Sequence, residues 1–200
     1  TYTVGHGLGV VPSMIIIKPR NVGGENWIMF HKSISTAPTN KGSYLNSTSA
    51  NFATGANWLT ENNTTKFGIT VGQVTGGSAT MVAYCFAEVE GYSSIGKYTG
   101  NGSADGPFIY TGFRPSFVMI KRTDASNSWV ILDDARNLFN QTNSPLFPDG
   151  NFAEETNANR NIDILSNGFK VRSTAFLNTS SGTYVYMAFA ENPFKNSNAR

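Results

Sequence analysis

Two short apolar runs, each closed by a lysine, set the rhythm of this chain: "SMIIIK" from Ser13 and "SFVMIK" from Ser116. Each is followed, across a stretch of small polar residues, by a second apolar run, "NWIMF" from Asn26 and "SWVIL" from Ser128. Apolar runs of this length bracketing Gly, Asn and Ser predict antiparallel hairpins, because those residues accept the turn conformations that bulky ones resist. "TKFGITVG" from Thr65 and "NGFKVRST" from Asn167 alternate apolar and polar positions, so each predicts a strand with one face in a core and one in water. "TMVAYCFA" from Thr80 and "TYVYMAFA" from Thr183 are more continuously apolar and read as central strands covered on both sides. Helix is scarce, since Gly, Pro, Asn, Ser and Thr interrupt nearly every window. The best helical stretch is "FAEETNANRNIDIL" from Phe152, with early acids and Ile162 and Leu165 three positions apart.

The same order of elements occurs twice. Pro12 maps onto Pro115 (115 − 12 = 103), and Trp27 onto Trp129, Phe67 onto Phe169 and Ala87 onto Ala190 keep offsets of 102 or 103. A steady offset across the whole chain is the signature of a tandem duplication. The predicted fold class is all-β: two tandem antiparallel β-sandwich units, jelly-roll-like, spanning residues 1–95 and 96–200. Between them "EGYSSIGKYTGNGSADGP" from Glu90 contains "GKYTGNG", which reads as the opening strand of the second unit. Its first-unit counterpart is missing or reduced to "TYTVGHG" at residue 1. An incomplete sheet edge in the first unit follows, and an open edge attracts another strand, from residues outside the segment or from a neighbouring subunit.

Composition narrows the partners. Only 14% of residues are charged and the formal net charge is +2, so the surface draws its polarity from Asn, Ser, Thr and Gly. The basic residues are scattered and cannot follow a phosphate backbone, which argues against nucleic acid. No apolar stretch approaches the ~18 residues of a membrane span, and no signal peptide is evident. The chain opens at Thr1 without Met, as a processed or partial chain would. Cys85 is the sole cysteine; intrachain disulfides are excluded, and its apolar flanks make it an inert, buried thiol.

The combination of "GLGVVPSMIIIKPR", "NWIMFHKSI" and "ATMVAYCFAEVEG" with "YTGFRPSFVMIKRT", "SWVILDDARN", "LSNGFKVRS" and "GTYVYMAFAENPF" resembles a repeat domain of unassigned biochemistry found in tail-fibre-like and other large virion proteins of tailed bacteriophages. The likeness covers nearly the whole chain. It implies a virion location and a structural or host-adhesion role, with other virion proteins and host surface polysaccharide or protein as partners, homo-oligomeric assembly, and no catalytic residues to carry over. A purely architectural element, capsid-decorating or fibre-scaffolding, is the alternative, and a glycan depolymerase a distant third.

Candidate chemistry is sparse. Glycan hydrolysis needs two carboxyl groups roughly 5 to 9.5 Å apart, but the adjacent acids Asp133–Asp134 and Glu154–Glu155 would point to opposite faces of a strand. His6 and His31 are the only histidines, without zinc spacing or a "GxSxG" elbow, so no cofactor is expected. Calcium held by Asp133, Asp134 or Asp149 with Asn and backbone oxygens is the one metal option. Sugar binding is favoured by "KGSYLNSTSANFATGANW" from Lys41, which sets aromatic faces beside amides and hydroxyls. Trp27 and Trp129 occupy the same slot of both units and read as packing residues, whereas Trp58 has no counterpart. The candidate ligand-binding residues are therefore Trp58, Tyr44, Asn46 and Asn57, with Asp133, Asp134 and Arg136 of "DDAR". The first unit has "HKSI" in place of that motif, so a site built on it exists once per chain.

Overall fold

The hairpins predicted from the apolar runs are present in the computed structural model of the chain, which describes residues 1–74, 79–137 and 139–192. The chain divides into two units, Thr1–Ala87 and Glu88–Arg200. The second begins earlier than the expected residue 96, because Ser93–Ile95 pair in register with Phe189–Met187 of that unit.

In the first unit the strands are β1 (Tyr2–Gly5), β2 (Met14–Pro19), β3 (Ile28–His31), β4 (Lys41–Tyr44), β5 (Phe52–Ala53), β6 (Leu59–Asn62), β7 (Lys66–Ile69) and β8 (Met81–Phe86). They form a three-stranded sheet, β1-β7-β6, and a five-stranded sheet, β5-β4-β3-β2-β8. The second unit has β9 (Ser93–Thr99), β10 (Phe108–Tyr110), β11 (Pro115–Arg122), β12 (Val130–Asp133), β13 (Ile162–Leu165), β14 (Gly168–Val171) and β15 (Thr183–Ala190). These make sheets β10-β14-β13 and β12-β11-β15-β9. Every pairing is antiparallel, and the fold is the all-β sandwich that the sequence predicts.

Each unit closes its two sheets over its own core. Ile15, Ile17, Ile28 and Phe30 of the larger first-unit sheet meet Leu59, Phe67 and Ile69 of the smaller one, with Trp58 between them. In the second unit Val118, Ile120, Val130 and Leu132 meet Ile162, Ile164, Phe169 and Val171, joined by Tyr98 and Tyr184. These are the inward positions of period-two strands.

The duplication extends to the bonds that hold the loops. The Trp27 amide donates to Asn46 Oδ1 at 2.9 Å, and the Trp129 amide to Asp149 Oδ1 at 2.8 Å. Lys18 Nζ donates to the Glu25 carbonyl, and Lys121 Nζ to the Asn127 carbonyl at 2.7 Å. The isolated bridges Thr39↔Leu59 and Thr142↔Ile162 also correspond. The lysine one position before the end of each first hairpin strand thus clamps its own turn, and an Asx side chain satisfies the amide of the Trp just ahead of the next strand.

Three expectations are corrected. The stretch from Phe152 forms no α-helix: it carries a 3-10 turn at Ala158–Arg160 and then β13. Ile162 and Ile164, two apart, both enter the core, so the apolar spacing there is that of a strand. Second, β8 is not central. It ends its sheet, Ala83 and Tyr84 are exposed, and Tyr84 retains 48% of its surface, whereas β15 is flanked by β11 and β9. Third, "TYTVG" is not a reduced β9. It forms β1, which pairs with β7 as β10 pairs with β14.

Candidate functional site

Both units have a concavity where the loop entering the first hairpin meets the loop leaving it. In the second unit its walls include Arg114, Asp134, Asn137, Asn140 and Thr142 around a volume of about 220 Å³, with Phe139 at the rim. Backbone-like bonds fix these walls. Asn140 donates from Nδ2 to the Ile164 carbonyl at 3.0 Å and accepts the Ile164 amide on Oδ1 at 2.9 Å, so it acts as a neighbouring strand would. Asn137 Oδ1 accepts the amides of Asn143 and Ser144. Arg114 pairs through Nε with Glu191 Oε2 at 2.9 Å, and its Nη2 lies 3.7 Å from Asp134 Oδ2.

The Asp134 carboxyl is pushed above the usual carboxylate range, mainly by desolvation; Glu191 adds to the rise and Arg114 opposes it. Against this polar interior stands Phe139, with 84% of its surface exposed. An aromatic face beside fixed donors and acceptors suits a ligand with one apolar face and a hydroxyl-bearing edge.

The first-unit counterpart, about 300 Å³, is lined by Val11, Phe30, Lys32, Thr36, Ala37 and Asn62 among others. By the repeat offset Val11 stands where Arg114 does, Lys32 where Asp134 does, and Thr36 where Phe139 does. The place recurs, while its charge pattern and its aromatic rim do not.

A second pair of concavities lies beside the Trp-bearing turns. In the first unit Glu25, Asn26, Tyr44 and Gln73 enclose about 140 Å³. In the second, Ser128, Phe147, Phe152 and Arg160 line about 340 Å³. Arg160 lies over the rings of Phe147 and Phe176, at 4.9 and 4.2 Å to their centroids, and is ion-paired with Glu155.

The residues singled out from the sequence are scattered among these places. Trp58 is fully buried; its Nε1–H donates to the Lys41 carbonyl at 2.9 Å and its ring packs near Phe52. It is a core residue and no platform for a sugar, which corrects the expectation. Tyr44 lines the smallest concavity and stacks on Phe52 at 4.3 Å, its hydroxyl pushed up by burial and by the charge of Glu25. Asn46 holds the Trp27 amide and bonds Asn26. Asn57 is exposed and lines none of these concavities.

Asp133 accepts the Arg136 amide at 3.0 Å and its Nε at 2.7 Å, and Arg136 also pairs with Glu154 at 3.0 Å. Asp133 and Arg136 therefore brace the turn after β12, and only Asp134 of "DDAR" reaches a concavity. Asp149 is engaged at the Trp129 amide. Among the described residues no three His, Cys, Asp or Glu side chains are grouped to hold a metal, and no helix is long and apolar enough to cross a membrane. Cys85 lies half-buried on β8, less enclosed than expected, with its thiol pushed up by desolvation. Phe139 is not among the residues the sequence singles out. Its signal is a single aromatic in the polar, turn-rich "NLFNQT", with no apolar partner at strand spacing.

A family described as a domain of unknown function (DUF7483) matches residues 1–193, taking in both units. No curated protein and no solved structure matches the chain.

Proposed function

The chain belongs to the DUF7483 family, and on that premise we propose that its two units form one non-catalytic binding module of a phage virion protein, directed at host surface saccharide. The observation that carries this reading is Phe139, a nearly fully exposed ring at the mouth of a cavity walled by Arg114, Asp134 and Asn140. A pyranose stacks an apolar face on such a ring while its hydroxyls meet the carboxylate and guanidinium. A shallow site of this kind binds weakly, and many copies on one particle compensate by raising the effective concentration. The likeness of the repeated motifs to phage tail-fibre-like proteins supplies the setting.

The test is binding of purified host surface polysaccharide to the chain, followed by calorimetry. Phe139→Ala is expected to weaken binding about tenfold, the loss of one aromatic contact of roughly 1.4 kcal/mol, with the fold unchanged. Equal binding by the variant removes the site. An unchanged polysaccharide length after prolonged incubation is expected for a binder, and shortening would restore the hydrolase.

A second reading, the architectural element, is favoured by the edge of β8, which no described strand covers on its outer side. It predicts no saccharide binding by the unaltered chain and a stable contact with another virion strand.

A further inference from the structure

The two units differ most in what lies beside their last strand. β15 is covered by β9 over seven paired positions, from Thr183↔Thr99 to Phe189↔Ser93. β8 repeats β15 residue for residue in position: Met14↔Phe86 through Pro19↔Met81 on β2 matches the run of β15 on β11. Yet among the described strands β8 has a neighbour on one side only.

Antiparallel ladders alternate, each residue turning both its N–H and its C=O to one neighbour. The Arg20 amide bonds the Thr80 carbonyl, so Thr80, Val82, Tyr84 and Phe86 serve β2, and Met81, Ala83 and Cys85 face the open side. Their counterparts Tyr184, Tyr186 and Ala188 face Tyr98, Gly96 and Ser94 of β9. Two of the usual guards against pairing are missing from this edge: "MVAYCF" contains no charge and no proline.

We infer that β8 is a strand acceptor, and that the occupant it is shaped for is a β9-type strand connected ahead of β1, running antiparallel to β8 with the register that β9 keeps on β15. The unit that has its covering strand supplies the argument for the source. β9 enters directly ahead of β10, and β10 is the counterpart of β1, so the equivalent strand of the first unit leads into β1. The occupant differs from β9 at one position. Gly96 lies under the Tyr186 ring, where a Cβ would come within 2.8 Å of the Tyr186 hydroxyl. Ala83 stands in the Tyr186 slot and leaves that space open, so the strand on β8 carries a side chain where β9 has glycine. This edge is separate from the saccharide site and stands or falls without it.

The experiment fuses a copy of residues 88–105, which contains β9 and its lead into β10, ahead of Thr1, and follows hydrogen exchange at the amides of Met81, Ala83 and Cys85. In the unextended chain these amides are expected to exchange rapidly. With the leader, protection is expected to rise at least about tenfold, and further when the leader's glycine at the Gly96 position is replaced by Val. A leader with proline at that position removes the ladder N–H and is expected to lose the protection. Unchanged exchange in the fused chain overturns the inference. So does concentration-dependent protection of the same amides in the unextended chain, which would make a second copy the occupant.

Discussion

β8 and β15 are written in nearly the same letters and live in different surroundings. Both pair in register with the first strand of their unit's equivalent hairpin, β2 or β11, and both turn alternate residues into a core. Tyr184, Tyr186 and Ala188 of β15 are buried, whereas Ala83 of β8 is exposed and Met81 and Cys85 only partly covered. The difference lies in the neighbour and not in the strand: β9 brings Tyr98, which stacks on Tyr184 at 4.8 Å. A pattern of apolar residues fixes what a strand needs, and its surroundings decide how far the need is met.

The largest expected effect on this comparison comes from Trp58, which fills the first-unit core. Trp58→Ala is expected to destabilise that unit by about 3–5 kcal/mol, seen as an early unfolding transition in denaturant, while the second unit keeps its own. If both transitions move together, the cores are not independent.

Next is Gly96→Val, which forces a side chain against Tyr186. Overpacking of this kind costs about 1–3 kcal/mol, and it should lower the second-unit transition alone and expose the β15 amides. An unchanged midpoint would mean that β9 contributes little to covering β15.

The smallest effect is a pH slope. Lys121 is buried, and desolvation lowers its pKa to about 8, with Asp149 opposing and Arg122 assisting. Between that value and the ordinary one the unfolded chain holds a proton that the folded chain has released. Stability of the second unit should therefore rise as pH increases from about 8 towards 9.5. Tyr98, whose hydroxyl is held well above its ordinary pKa by burial, opposes this only at still higher pH. Lys121→Met should flatten the slope in thermal melts taken across that range. A slope that survives the substitution assigns it to another group.

Much of the fold was legible because it rests on local signals. The apolar runs closed by Lys18 and Lys121 form the hairpins they predict, and the constant offset between Trp27 and Trp129 reflects equivalent positions, each with its amide held by an Asx oxygen. What failed depended on direction. Continuous apolarity in "TMVAYCFA" does not reveal which side of a strand is covered, so an edge was read as a centre. The spacing of Ile162 and Leu165 fits a helix, while Ile162 and Ile164 fit a strand, and pairing with β14 decided it. Trp58 sits among Asn, Gly and Thr, a polar context that suggested a surface platform. Its indole instead reaches inward, packing in the core while the Lys41 carbonyl satisfies its N–H. The site was legible only in Asp134, and Phe139 was hidden because exposure is a property of the folded loop.

The duplicated scaffold separates framework from recognition. The clamps at Lys18 and Lys121 and at Asn46 and Asp149 hold equivalent turns at one end of each hairpin, while the cavity walls at the other end differ at a few positions. On the saccharide reading proposed above, Val11→Arg, Lys32→Asp and Thr36→Phe together would carry the charge pattern and aromatic rim of the second-unit cavity into the first. Such a chain would present two matching cavities where the natural one has two different ones.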